Sequence, residues 1–103
     1  MARKVVWAYA AGEDLEAASA YIYRDSPSYA ASFVNRVLET GRSLSELGER
    51  GCIVPEFRDT TIREVFVYSY RLIYRITGDQ ISILGLIHGR RDFQAAWDEK
   101  DRE

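Results

Sequence analysis

Cysteine and histidine are almost absent from this chain: Cys52 and His88 are the only ones among 103 residues. A lone thiol makes neither a disulfide framework nor a structural zinc site, and no His/Cys cluster can be assembled from this pair. No metal and no cofactor are therefore expected, and a free thiol suits a reducing cytoplasm. Long apolar runs are missing too. The longest, from Val5 to Ala11, is far too short to cross a membrane as a helix. Arg3 and Lys4 precede it as in a secretory signal, but Glu13 and Asp14 interrupt it almost at once. Neither a signal nor a membrane partner is expected. Proline occurs only at Pro27 and Pro55, and there is no repeat, low-complexity stretch or Pro/Gly/Ser-rich linker. What remains is 47% hydrophobic and 13% aromatic, enough to fill one core but not two at this length. A single domain over residues 1–97 is expected, followed by a charged, frayed tail, 98–103.

Lysine is scarce as well, occurring only at Lys4 and Lys100. The net charge is −2, but it is unevenly spread. Residues 58–91 hold Arg58, Arg63, Arg71, Arg75, Arg90 and Arg91 against Asp59, Glu64 and Asp79, whereas the tail is acidic. Guanidinium forks grip phosphate and carboxylate bidentately, so an all-arginine basic segment fits anion recognition; the alternative is a solvated face.

The hydrophobic pattern changes period along the chain. Lys4-Val5-Val6-Trp7 reads as a short strand. Glu13, Asp14 and Glu16 place acid in the first turns of a helix whose apolar face is Leu15, Ala18 and Ile22. Asp25-Ser26-Pro27 ends it and starts a second helix, with Ser26 as N-cap and Pro27 at N1. Ala30, Phe33, Val34, Val37, Leu38, Leu44 and Leu47 line that helix, and Gly48 and Gly51 close it. Beyond residue 60 the period becomes extended. Ile62–Val67, Arg71–Ile76 and Gln80–His88 form an antiparallel meander with turns at Tyr68-Ser69 and Gly78-Asp79. The last of these strands is apolar on both faces, so it is expected to be the central one, and the first strand joins the sheet from the other end of the chain. A short helix, Phe93–Trp97, follows. The order is β-α-α-β-β-β-α: an α+β domain, its helical hairpin packed on one face of a twisted antiparallel sheet.

Alternation places Arg71, Ile73 and Arg75 on one strand face and Leu72, Tyr74 and Ile76 on the other. With the second face under the helices, the arginine face points outward, and Arg63 is its candidate third member. On that reading, charge removal at Arg71 harms binding more than folding. Cross-strand pairing of Arg71 with Glu64 is the structural alternative. Arg90 and Arg91, directly after the last strand, are candidates for clamping phosphate or an acidic surface; Asp92 or the acidic tail could instead pair with one of them. Trp7, Tyr21, Tyr23, Tyr29 and Phe33 read as core or half-buried, with an exposed partner site as the alternative.

Several of these pieces carry a family resemblance. They are Asp14-Leu15, Tyr21-Ile22, Asp25-Ser26-Pro27, Ala30 with Phe33, Val54-Pro55-Glu56, Arg63-Glu64, Tyr70-Arg71-Leu72-Ile73-Tyr74-Arg75-Ile76, and Ile83-Leu84 leading to His88-Gly89-Arg90-Arg91-Asp92. In this element order the chain resembles the RelE/ParE superfamily of small bacterial toxins from type II toxin–antitoxin pairs, from about Trp7 to Phe93, and is more similar to the ParE branch. The resemblance implies a cytoplasmic toxin that binds and poisons DNA gyrase without chemistry of its own. It also implies a cognate antitoxin, a ribbon-helix-helix repressor with a disordered tail, seated on Leu15, Ala18, Tyr21 and Ile22. The target would be met by Arg63, Arg71, Arg75, His88, Arg90 and Arg91.

The alternative is a metal-independent endoribonuclease acting on translated mRNA, with Glu56, Arg63 and His88 as base, cation and acid. His88 could equally cap its strand and bond the Arg90–Asp92 turn. The nuclease branch tends to carry several lysines and a tyrosine after the last strand; here lysine is absent between Lys4 and Lys100, and Phe93 is the first aromatic after His88. A third possibility is an inactive relative that serves only as antitoxin partner and co-repressor.

Overall fold

The computed structural model describes residues 2–102; Met1 and Glu103, the outer limits of the expected domain and tail, lie outside the described residues. Strand β1 (Lys4–Trp7) leads into helices α1 (Tyr9–Tyr23) and α2 (Pro27–Ser43). A 3-10 turn at Gly48–Arg50 precedes β2 (Cys52–Ile53), β3 (Ile62–Val67), β4 (Tyr70–Thr77), β5 (Gln80–His88) and α3 (Phe93–Asp98). The five strands form one open sheet in the order β1-β5-β4-β3-β2. β1 runs parallel to β5 and the other pairings are antiparallel. The α+β expectation holds, but the middle strand is β4, because the two-residue edge strand β2 is added beyond β3; β5 lies between β1 and β4. Two residues give no periodic signal, which is why the sequence reads this stretch as loop.

The helical hairpin forms where its punctuation says. The Ser26 hydroxyl accepts the Tyr29 amide at 3.2 Å, and Pro27 occupies the first helical turn. Two boundaries differ from expectation. α1 starts at Tyr9, so Glu13 and Asp14 lie beyond its first turn; Ala10 and Ala11 are strong helix formers and bury fully against the core. α2 stops at Ser43, before either expected glycine. Gly51 instead permits close approach: its amide donates to the Tyr74 hydroxyl at 3.1 Å, and that hydroxyl donates to Gly48 O at 2.7 Å.

The sheet is covered on both faces. Phe33, Val37, Leu44, Val65, Leu72, Tyr74, Ile81 and Ile83 fill the core beneath the hairpin. On the opposite face Val54, Ile62, Ile73, Ile87, Phe93 and Ala96 form a second cluster under α3, with Phe57 and Trp97 against it. The expected outward arginine face is therefore covered. Ile73, between the two arginines, is the residue that demanded the cover. Nor are the described tail residues, 98–102, frayed. Arg102 is buried, ion-paired to Asp14 at 2.6 Å, and bonded to the carbonyls of Leu84, Ala96 and Trp97. Lys100 reaches the other Asp14 oxygen at 2.6 Å.

Candidate functional site

The C-terminal end of β5, the start of β4 and the second half of α1 enclose a cavity of about 460 Å³. Apolar Ala17, Ala18 and Leu86, the rings of Tyr21, Tyr70 and His88, and the charged Asp14, Arg91, Glu99 and Lys100 line it. A second cavity, of about 280 Å³, also has Tyr21, Tyr70 and His88 in its wall, together with Tyr29, Phe33, Tyr68 and Asp25. The β3–β4 turn supports this wall: Tyr68 stands at φ 54°, a left-handed conformation uncommon outside glycine, with its ring half exposed. Its partners are Tyr29 at 5.9 Å edge-on and Phe33 at 6.1 Å stacked.

His88 fills the structural role set out as its alternative. Its Nδ1 accepts the Arg90 amide at 3.0 Å, its carbonyl accepts the Arg91 amide at 3.1 Å, and its ring meets Tyr70 edge-on at 4.9 Å. With Nδ1 engaged, the neutral imidazole carries its proton on Nε2. Burial raises the Tyr70 phenol above its usual value of 10.0, and the nearby Tyr21 hydroxyl adds to this while Arg91 opposes it. Tyr70, Tyr21 and Arg91 are thus close enough to feel one another.

Arg90 and Arg91 are both exposed. The Arg91 guanidinium meets Glu99 of the tail at 2.9 Å, with each side chain about half exposed, 51% and 54%. Such a surface pair is worth ~0–1 kcal/mol and yields readily to a partner. The Arg90 side chain makes no hydrogen bond or ion pair among the described residues. Asp92 is not their counterion: its carboxylate caps α3 by accepting the Ala95 amide at 3.2 Å.

The arginines expected on one outward face are divided. Arg71 is buried, its Nε on Glu64 and its two terminal nitrogens on Glu56 at 2.7 and 3.1 Å, with the guanidinium 4.4 Å from the Phe93 ring centre. The cross-strand alternative is the one realised. These bonds hold the Glu56 carboxyl below its usual value, against partial desolvation, and raise Arg71 further. Arg63 pairs in register with Tyr74, which puts it on the opposite face from Arg71, where it donates to Gly51 O at 3.1 Å. Arg75 borders a separate hollow with Glu56, Arg58 and Asp59. Asp59 is held low chiefly by hydrogen bonds from Thr61, with Arg75 contributing.

Glu56, Arg63 and His88 are likewise not brought together. Glu56 bonds Arg71 on the α3 face, whereas His88 stands beside Tyr70 on the hairpin face. Arg63 and His88 are registered against Tyr74 and Tyr70 of β4, about 13 Å apart along the strands and two strand spacings, about 10 Å, across. Of the residues expected to seat a partner on α1, Ala18 is buried in the core, Leu15 and Ile22 are half-buried against it, and Tyr21 is exposed. Tyr23 and Tyr29 are exposed too, contrary to the core reading. Tyr68, Tyr70, Glu99 and Lys100 entered the site unforeseen. No local sequence signal points to them, because Tyr70 meets the only histidine through the register of β4 against β5.

This fold is similar to that of solved structures. A chain of the chromosomal ParDE toxin–antitoxin system from P. aeruginosa matches with a TM-score of 0.69 and 21% identity, over 84% of this chain and 95% of that one. A chain of the RelBE2 toxin–antitoxin complex from Mycobacterium tuberculosis matches with a TM-score of 0.59 and 23% identity, over 85% of this chain and 99% of that one. The fold is thus of the RelE/ParE type. No curated protein shows significant sequence similarity. The model of the family described as ParE toxin of type II toxin-antitoxin system, parDE, matches residues 5–93, and the chain belongs to that family.

Proposed function

We propose that the chain is the toxin of a type II toxin–antitoxin module that arrests growth in the cytoplasm by binding DNA gyrase, with no bond-breaking chemistry of its own. One observation carries the reading. The acid, cation and base needed for RNA cleavage lie on opposite faces and opposite ends of the sheet, while Arg90 and Arg91 stand exposed beside a rigid strand. A binding poison needs shape and charge at one place; a nuclease needs three groups within reach of one phosphate. Membership of the ParE family supports the same choice.

The reading includes a cognate antitoxin, a ribbon-helix-helix repressor whose disordered tail folds as it wraps this domain. Its seat is the outer face of α1, a shallow depression lined by Gly12, Leu15, Glu16, Ser19, Ala20, Tyr23 and Val34, instead of the buried Ala18. Induced expression tests the proposal. The expected result is arrest with filamentation and a DNA-damage response while bulk mRNA stays intact, relieved by co-expressing the neighbouring repressor. Loss of ribosome-bound mRNA would transfer the assignment to an endoribonuclease, and absence of any arrest would mark an inactive co-repressor.

A further inference from the structure

We propose that Phe66 is the apolar anchor by which this protein docks on its target, seated in a pocket of a partner protein whose rim carboxylates meet Arg90 and Arg91. The inference rests on the binding-poison reading and adds to it one residue and the kind of surface the target offers. Phe66, Arg71 and Ile87 stand side by side across β3, β4 and β5, on the face that carries α3. Two of the three are covered: Ile87 packs in the cluster with Phe93, and the Arg71 guanidinium lies against the Phe93 ring. The cover stops short of Phe66, which is 62% exposed, whereas Phe33, Phe57 and Phe93 are buried or half-buried.

A single exposed apolar side chain is ordinary; the setting singles this one out. The ring borders the turn that carries the arginine pair: a Cβ at Gly89 would lie 3.9 Å from Phe66 Cε2, and the Gly89 amide donates to Ser69 O at 2.8 Å. The same turn is braced by the bonds of the Arg90 and Arg91 amides to His88. A ring on a strand and two arginines on a braced turn are held in place before a partner arrives, so little ordering remains to be done on binding. Aromatic rings and arginines are also the side chains that dominate protein–protein docking. Phenylalanine has no hydroxyl to satisfy, so its seat is apolar. Arg90, unpartnered among the described residues, and Arg91, held only by the exposed Glu99, call for carboxylates beside that seat. Glu56 and Glu64 lie on this face too, which suits a partner with a few discrete carboxylates over a continuous polyanion.

Growth inhibition by Phe66→Thr, Phe66→Leu and the control Ile53→Thr tests this at matched soluble expression, alongside binding of each purified protein to gyrase holoenzyme by surface plasmon resonance. Ile53 is also exposed, at 46%, but lies on the edge strand β2 in register with Arg63, away from the turn. Threonine favours strands, so the fold should hold, which melting curves and antitoxin affinity check. Phe66→Thr should weaken inhibition at least tenfold and gyrase affinity ~10- to 100-fold, mostly through faster dissociation. Phe66→Leu should keep most of both, and Ile53→Thr should change neither by more than about twofold. The salt dependence of binding should be unchanged in Phe66→Thr and flattened in the Arg90→Ala, Arg91→Ala variant, because only the arginines act through charge. Hydroxyl-radical footprinting of the wild-type complex needs no variant, and Phe66 should be protected in it. Full inhibition by folded Phe66→Thr, or an unprotected Phe66 in the gyrase complex, would overturn the proposal. An equal loss of antitoxin affinity would overturn it too and assign Phe66 to the antitoxin; cleavage of ribosome-bound mRNA that Phe66→Thr abolishes would assign it to RNA. Wild-type protein that leaves gyrase unbound would refute the gyrase reading, and growth inhibition alone then decides the anchor.

Discussion

Asp14 and Arg102 stand 88 positions apart in the chain and meet at 2.6 Å with side chains only 7% and 5% exposed. The pair ties α1 to the tail across β5. Asp14 Oδ2 also accepts the Leu86 amide at 3.0 Å, and the guanidinium lies 4.5 Å from the Trp97 ring centre. Gly85 makes the crossing possible: a Cβ there would come within 2.7 Å of Arg102 Nη1 and 2.9 Å of the Trp97 ring. Removing one member of a buried pair strands the other, at ~3–5 kcal/mol. Asp14→Ala is thus expected to lower the melting temperature by more than 10 °C in this small domain, at ~4–8 °C per kcal/mol. Arg91→Ala, at a surface pair, should move it by only a few degrees. Calorimetry of the two variants checks the contrast.

Arg71 behaves in the same way, which reverses the sequence expectation that removing its charge harms binding more than folding. Arg71→Gln leaves Glu64 buried opposite a neutral amide and should cost about 3 kcal/mol or more. The same cluster gives acid sensitivity. Glu56 titrates below its ordinary 4.5 in the folded protein, mainly through its hydrogen bonds from Arg71. Its contribution is fully present above that value and is lost as pH falls through the lowered one. Melting curves from pH 7 to 3 should fall less steeply below about pH 4.5 for Glu56→Gln than for the wild type, measured at equal salt.

Much of this arrangement was legible and some was not. Ser26-Pro27, the three long strands and the helical hairpin follow from caps and periodicity, because those signals are local. The covered arginine face was not legible, because α3 and the loop around Phe57 meet it only through tertiary packing. Two signals stood in the sequence unread. Ile73 between Arg71 and Arg75 argued against a solvated face. A glycine inside the apolar strand, Gly85, marked a place where something approaches closely, and that something is Arg102. The site divided likewise: His88 and the Arg90–Arg91 pair were visible as a strand end, whereas the cavity walls from α1 and the tail depend on the fold.

His88 and the arginine pair are expected to separate in growth assays. His88→Gln removes the imidazole whose Nδ1 serves the Arg90 amide, and it should retain most of the growth inhibition. Arg90→Ala combined with Arg91→Ala should abolish inhibition while the fold persists, since neither guanidinium is buried. Colony counts at matched soluble expression decide this. Loss of toxicity with His88→Gln in a folded protein would favour proton transfer, where such a loss is typically ~10²–10⁴-fold.

The central claim is met most directly by purified toxin mixed with purified gyrase and supercoiled plasmid, scored for cleaved DNA after denaturation. The account predicts dose-dependent accumulation of linear, gyrase-linked plasmid, abolished by prior addition of the cognate antitoxin and by the Arg90→Ala, Arg91→Ala variant. Unchanged gyrase activity at saturating toxin, together with cleavage of ribosome-bound mRNA by the same preparation, would contradict it.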